Sequence, residues 1–299
     1  MHYRSLSPKL KLSRGLKLPA SVTLFRLGLF GTGLVHASLA IGMASVLFPS
    51  ASGLVSTFFI AFGLLPTFNR LLDENAHAIW DKAEHPIAAN AKTVLGLFAI
   101  FLGIFTVYFF LASYLSAEKA QSVFEKQLAG VSPLSRLTTQ DFDDFMMILK
   151  HNVVVLYVFF FISIVYQLGA MFVLAWNASV WGAVFGFLLQ AHALPTEVMR
   201  VAPISEGHEG GFSSYQSGLL VLSFLPHLSL EAVGYIVAAM SGLFLGKALR
   251  RYTIDSAEFT RVMNACFLLF LLSPLMISVA AWLESHCFPV WLNSVIQLD

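Results

Sequence analysis

The stretch "LPHLSLEAVGYIVAAMSGLFLG", residues 225–246, decides the fold. It is long and apolar enough to be a membrane helix, yet it opens with Pro226 and His227 and places Glu231 one helical turn after the histidine. Gly234, Ala238, Gly242 and Gly246 recur at every fourth position. At about 100° per residue these small residues fall within about 120° of one another, and His227, Glu231 and Tyr235 share that side. In a membrane, where helices associate by packing and hydrogen bonds rather than by escaping water, such a stripe lets backbones approach closely. The spacing therefore predicts that the polar pair faces another helix, not lipid.

Working outward, the chain is 57% hydrophobic and only 12% charged, against roughly 25% charged in an ordinary soluble domain. Apolar segments near the spanning length of ~20 residues fall at about 22–48, 51–68, 93–115, 151–175, 178–194, 218–248 and 262–283. The expected fold class is all-α, a polytopic membrane helix bundle of about seven spans. The second and fifth segments are short enough to be tilted, thin or partly re-entrant. A cleaved leader is a poor reading of the N-terminus, because the first apolar run continues past Ser38 and Ala40 to Phe48 and so is long enough to span.

Charge sets the expected orientation. Arg4, Lys9, Lys11, Arg14 and Lys17 fill a leader without acids, and Arg70, Lys82, Lys92, Lys247, Arg250, Arg251 and Arg261 fall on the same side in a seven-span arrangement. The excess of basic residues on that side predicts N-terminus in and C-terminus out. The leader reads as a topology signal and not as a nucleic-acid patch. Residues 1–92 form the leader, a membrane hairpin and an inner loop; residues 93–299 form a five-span core. The inner loop at 69–92 is expected to hold an interfacial helix stopped near Pro86. In the outer loop, 117–128 looks helical, and 138–149 looks like a second helix capped by Thr139, with Asp141, Asp143 and Asp144 in its first turn.

Several groups invite a chemical reading. A break at Pro226 would resolve the excess length of 218–248 and leave Glu231 near a positive helix N-terminus, which eases an ionised carboxylate. The pair itself is open to two readings. An intramembrane acid beside a histidine is a functional candidate for proton or ion handling; the same i, i+4 spacing also makes a structural hydrogen-bonded pair. No second histidine follows Glu231 at zincin spacing, so a metalloenzyme is disfavoured. Cys266 and Cys287, ~30 Å apart if they share a helix, cannot form a disulfide within the chain. No metal or other cofactor is expected.

A second constellation runs from Lys150 to Leu189. Asn152 opens the fourth span. Trp176 and Asn177 are expected at a hairpin, with Asn177 satisfying freed backbone groups. Ala178, Gly182 and Gly186 again step by four and are expected to pack against the Gly234 stripe. His36 reads as a satisfied interior residue, and Gln167 and Gln190 as helix-to-helix hydrogen-bond formers. The Gly-rich 205–218 is a loop and no phosphate cradle.

These motifs carry a likeness. "LKHN" at 149–152, "FVLAWNASVWGAVFG" at 172–186 and "PHLSLEAVGYIVAAMSG" at 226–242 resemble the stage II sporulation protein M family of integral membrane proteins over about residues 93–283. In that family the last motif usually has Gly after the histidine; here Leu228 stands there, while His227 and Glu231 match. The first 92 residues look like the extra pair of spans in longer members. The resemblance implies a membrane scaffold that anchors envelope proteins. The expected function is accordingly a multi-pass scaffold or assembly factor in a prokaryotic plasma membrane and not an enzyme. Its partners are membrane lipid and other membrane or envelope proteins, without nucleic acid; its packing faces allow a homo-oligomer. The alternative is a small-solute or ion transporter using His227 and Glu231 at a broken helix.

Overall fold

The computed structural model describes residues 20–80, 82, 85–129, 142–189 and 214–287, and every regular element among them is a helix. Helix α1 (Ala20–Leu47) ends at Phe48. Pro49 pushes the residue before it out of the helical region, and a 3₁₀ turn, Pro49–Ala51, leads into α2 (Ser52–Trp80). The same device opens α3 (Pro86–Tyr114): His85 is extended, and Pro86 takes the first helical position, where its missing N–H is harmless. Two short helices follow, α4 (Ala117–Val123) and α5 (Glu125–Leu128). Helix α6 (Phe142–Val165) is separated from α7 (Gln167–Leu188) by Tyr166 alone. Helix α8 (Ser214–Arg251) and α9 (Ala257–Trp282) complete the set, α9 continuing into a π-helical turn, Leu283–Cys287. Ser256 caps α9, its Oγ accepting from the Phe259 N–H at 3.1 Å.

Seven of these helices are long and apolar enough to cross a membrane, which makes the chain a polytopic helical membrane bundle. The second candidate span, Pro49–Trp80, and the fifth, Gln167–Phe187, have full spanning length. Cys266 and Cys287 do lie on one helix and its continuation, and both are free.

The bundle is built from two groups. In one, α3 packs between α1 and α7, with α2 against both α1 and α7; in the other, α8 packs between α6 and α9. Close parallel contacts hold each group. A Cβ on Gly33 would collide with the Ile100 carbonyl, and one on Gly103 with the Phe30 carbonyl. Gly182 faces the Phe105 carbonyl and Gly186 the Phe109 carbonyl; Gly242 faces that of Phe160 and Gly246 that of Ile164. Phe25, Leu29 and Gly33 of α1 meet Lys92, Gly96 and Ile100 of α3, and residue numbers likewise rise together in the α3–α7 and α6–α8 contacts, so all three pairs run parallel. Missing side chains let backbones meet, which replaces the hydrophobic drive that lipid removes. Antiparallel neighbours add hydroxyl bonds. Ser56 Oγ meets Tyr108 Oη at 2.5 Å between α2 and α3, and Ser241 Oγ donates to the Cys266 carbonyl at 2.6 Å between α8 and α9.

Five local expectations are corrected. Residues 69–80 form no separate interfacial helix: α2 runs through them and buries Leu71, Leu72, Asn75 and Ala76, and Pro86 starts α3 rather than stopping a loop helix. The second outer-loop helix is not independent either, because α6 runs from Phe142 straight through the span; the Thr139 cap and Asp141 lie outside the described residues, as do Gln190 and 205–213, while 214–218, expected in the loop, open α8.

The hairpin falls at Tyr166, not at Trp176 and Asn177. Asn177 sits inside α7 and returns its amide N–H to the Val173 carbonyl at 2.9 Å, so it spends its polarity on its own helix and breaks nothing. The corner is possible because Gly169 approaches the Ile162 side chain, where a Cβ would lie 3.0 Å away. Lastly, the Ala178–Gly186 face does not touch the Gly234 stripe. It packs on α3, while the α8 stripe divides, Gly234 facing Ile277 of α9 and Gly242 and Gly246 facing α6. Each step of four residues advances about 40° around a helix, so a long stripe winds from one neighbour to the next.

Candidate functional site

Helix α8 is buried along most of its length, and that centrality places the polar pair inside protein. His227, Glu231 and Tyr235 are 2%, 4% and 2% exposed. They stand one turn apart on a common face, as their i, i+4, i+8 spacing dictates. Asn152 of α6, 6% exposed, comes from across the parallel contact and donates its amide N–H to Glu231 Oε2 at 3.5 Å, a long bond. The Tyr235 hydroxyl lies near enough to the Glu231 carboxyl group to interact with it. The acid thus has one neutral donor in Asn152, the Tyr235 hydroxyl nearby and, among the described residues, no cation paired to it.

Aromatic rings wall the cluster. Phe159 stacks on Tyr235 with centroids 5.0 Å apart and planes 5° from parallel. Phe224 meets His227 edge-on at 5.3 Å and is itself packed on Phe185. His227 Nε2 is buried with no hydrogen-bond partner among the described residues. That orphaned atom is the one polar group here whose burial the neighbours do not offset, and an unmade bond of this kind costs on the order of 1–3 kcal/mol.

Helix α8 contains Pro226 and runs through it without ending. The expected break, and the helix N-terminus beside Glu231, are therefore absent. Glu231 lies well inside the helix, beyond the first turn where the macrodipole acts. Its burial is offset by Asn152 and Tyr235 instead. The proline itself is tolerated because its ring lies on an exposed side of the helix, and because kinked or locally adjusted helices re-satisfy the freed carbonyl in membranes.

Of the other sequence candidates, His36 bonds the Thr32 carbonyl through Nδ1 at 2.8 Å and packs over Gly63. Gln167 begins α7 at the far end of α6 from Asn152. Neither joins the cluster. Glu284 does come close: the π-helical turn after α9 brings its carboxyl group near enough to Glu231 for the two to interact electrostatically. In the sequence it is only the first acid after a long apolar run, and a helix that tightens or widens its last turn cannot be read from composition. The Phe159–Tyr235 stack is equally silent there. Among the described residues, no three His, Cys, Asp or Glu side chains converge as metal ligands. The arrangement can hold a proton or a hydrogen-bond network; nothing in it positions a nucleophile against a base.

Comparison with known proteins gives one match. The family model described as Stage II sporulation protein M matches residues 93–287, from within the third span to the π-helical turn. The match includes Asn152, His227, Glu231 and Glu284 and leaves α1 and α2 outside it. No curated protein and no solved structure matches the chain. With about two thirds of its length matched, the chain belongs to the stage II sporulation protein M family.

Proposed function

We propose that this protein is a multi-pass scaffold or assembly factor of a prokaryotic plasma membrane, with its N-terminus inside, that holds other membrane or envelope proteins and catalyses no reaction. The observation that carries this reading is the closure of the polar cluster: His227, Glu231 and Tyr235 are each under 5% exposed, behind Phe159 and Phe224. A buried polar network of this kind fixes which helices meet and in what register. Family membership and the glycine contacts, which join neighbouring helices backbone to backbone, support the same role.

The rival reading is a small-solute or ion transporter in which His227 and Glu231 form a coupled pair. The orphaned His227 Nε2 is its best support. The two separate on one experiment. Variants His227→Ala and Glu231→Gln are compared for yield, co-purifying proteins and solute flux in liposomes. The scaffold reading expects reduced yield or lost partners and no flux in any form. Flux in the parent protein that disappears in the variants at unchanged yield and partners would overturn it.

A further inference from the structure

The opposite end of the bundle from the His227 cluster holds a second polar site. Where α2 ends and α3 begins, a cavity of about 240 Å³ is lined by Phe25, Glu74, Asn75, His77, Lys82 and Lys92, among others. It is smaller than the ~300–1,000 Å³ that drug-sized ligands fill, so it suits one compact polar group.

Its charge is defined by what is already paired. Glu74 Oε1 accepts from Arg70 Nε at 2.8 Å, so its charge is met from outside the cavity. Neither Lys82 nor Lys92 pairs with a carboxylate among the described residues. The Lys92 ammonium rests 5.5 Å from the centroid of the Phe25 ring, a contact far weaker than one with an anion. The α2 and α3 termini meet here with opposed dipoles, and the positive potential comes from the lysines.

Asn75 supplies the independent sign of a ligand. It lines the cavity, is only 3% exposed, and its Oδ1 has no partner among the described residues, while its amide N–H donates to Asn90 Oδ1 at 2.9 Å. Turning both amides by half a rotation keeps that bond and places the Asn75 NH₂ at the unpartnered position beside the cavity. Two ammonium groups that pair with no carboxylate among the described residues and a buried amide then converge on one small space. We propose that this cavity binds a phosphate group, as the headgroup of an anionic phospholipid or as free phosphate. Basic pockets between spans are suited to such headgroups. This site is independent of the role proposed above.

The test uses the full chain purified in a neutral detergent and titrated with short-chain phosphatidylglycerol, with phosphatidylcholine of equal chain length and with inorganic phosphate, read by native mass spectrometry. Phosphatidylglycerol is expected to bind at least about tenfold tighter than phosphatidylcholine, whose choline cancels the charge. Lys82→Gln and Lys92→Gln are each expected to weaken it on the order of fivefold, and the double variant about 25-fold. The exposed Lys119→Gln at the other end is expected to leave it unchanged. Competition by inorganic phosphate identifies a free-anion site; binding of the lipid without such competition identifies a headgroup site. Unchanged affinity in a double variant that elutes like the parent on size exclusion, or equal affinity for both lipids, overturns the proposal.

Discussion

The two helix groups solve the same problem with different means. Helices α1, α3 and α7 meet through Gly33, Gly103, Gly182 and Gly186, with the Ser56–Tyr108 hydroxyl bond as the main polar link across to α2. Helices α6, α8 and α9 have the equivalent glycine contacts at Gly242 and Gly246, a looser one at Gly234 against the Ile277 side chain and a hydroxyl bond at Ser241, and then add a buried acid and histidine. The first group shows that close parallel packing does not require Glu231. Whatever Glu231 contributes must therefore lie beyond adhesion, in selecting one register of α6 on α8 through Asn152. A hydrogen-bonded acid is suited to that, because any slip leaves it buried without partners.

The largest expected effects are common to both groups. Gly242→Val and Gly186→Val each drive side chains into a facing backbone carbonyl that cannot move aside. Each is expected to lower stability by about 3 kcal/mol or more, at or above the upper end of ordinary overpacking, measured by unfolding in detergent. Comparable losses in the two variants would establish that the glycine contacts are equivalent. A mild effect in one would mean that its helix pair can separate.

Next in size is the contrast between polar links. Glu231→Ala leaves the Asn152 amide without its acceptor in a buried site and is expected to cost on the order of 1–3 kcal/mol. Tyr108→Phe in the first group removes a single interhelical bond and is expected to cost roughly 0.6–1.7 kcal/mol. A double cycle of Glu231→Ala with Asn152→Ala should show coupling; purely additive losses would remove the register argument. The smallest effect belongs to His227→Phe. Because Nε2 already lacks a partner among the described residues, replacing the ring by one of similar shape is expected to be within about 1 kcal/mol of neutral, or stabilising. A large loss would reveal a partner for that nitrogen.

Fold class and span number were legible because length and hydropathy follow from bilayer thickness alone. Helix breaks were not. Pro226 reads as a break on propensity, yet its ring lies on an exposed side of α8 and tertiary packing carries the helix through it. "AWNAS" reads as a turn, but the Asn177 amide finds its acceptor one turn back; the real corner at Tyr166 has no stronger local signal than Gly169 three residues later. The shared face of His227, Glu231 and Tyr235 followed from periodicity, and Asn152 stood out as the polar residue opening a span. Which helix that face meets did not follow, because a four-residue stripe winds about its axis and touches two neighbours. Glu284 was hidden for a related reason: a π-helical turn shifts which way a side chain points, and nothing in "WLESHC" announces it.

The account stands on the polar cluster being closed to water, and solvent access at α8 tests this most directly. In a chain whose Cys266 and Cys287 are replaced by alanine, His227→Cys and Tyr235→Cys are exposed in native membranes to a membrane-impermeant maleimide, with Lys119→Cys as the accessible control. The expected result is full labelling of the control and none of the two α8 positions above background. Labelling at 227 or 235 at a rate near that of the control would contradict the closed cluster and favour a water-filled path.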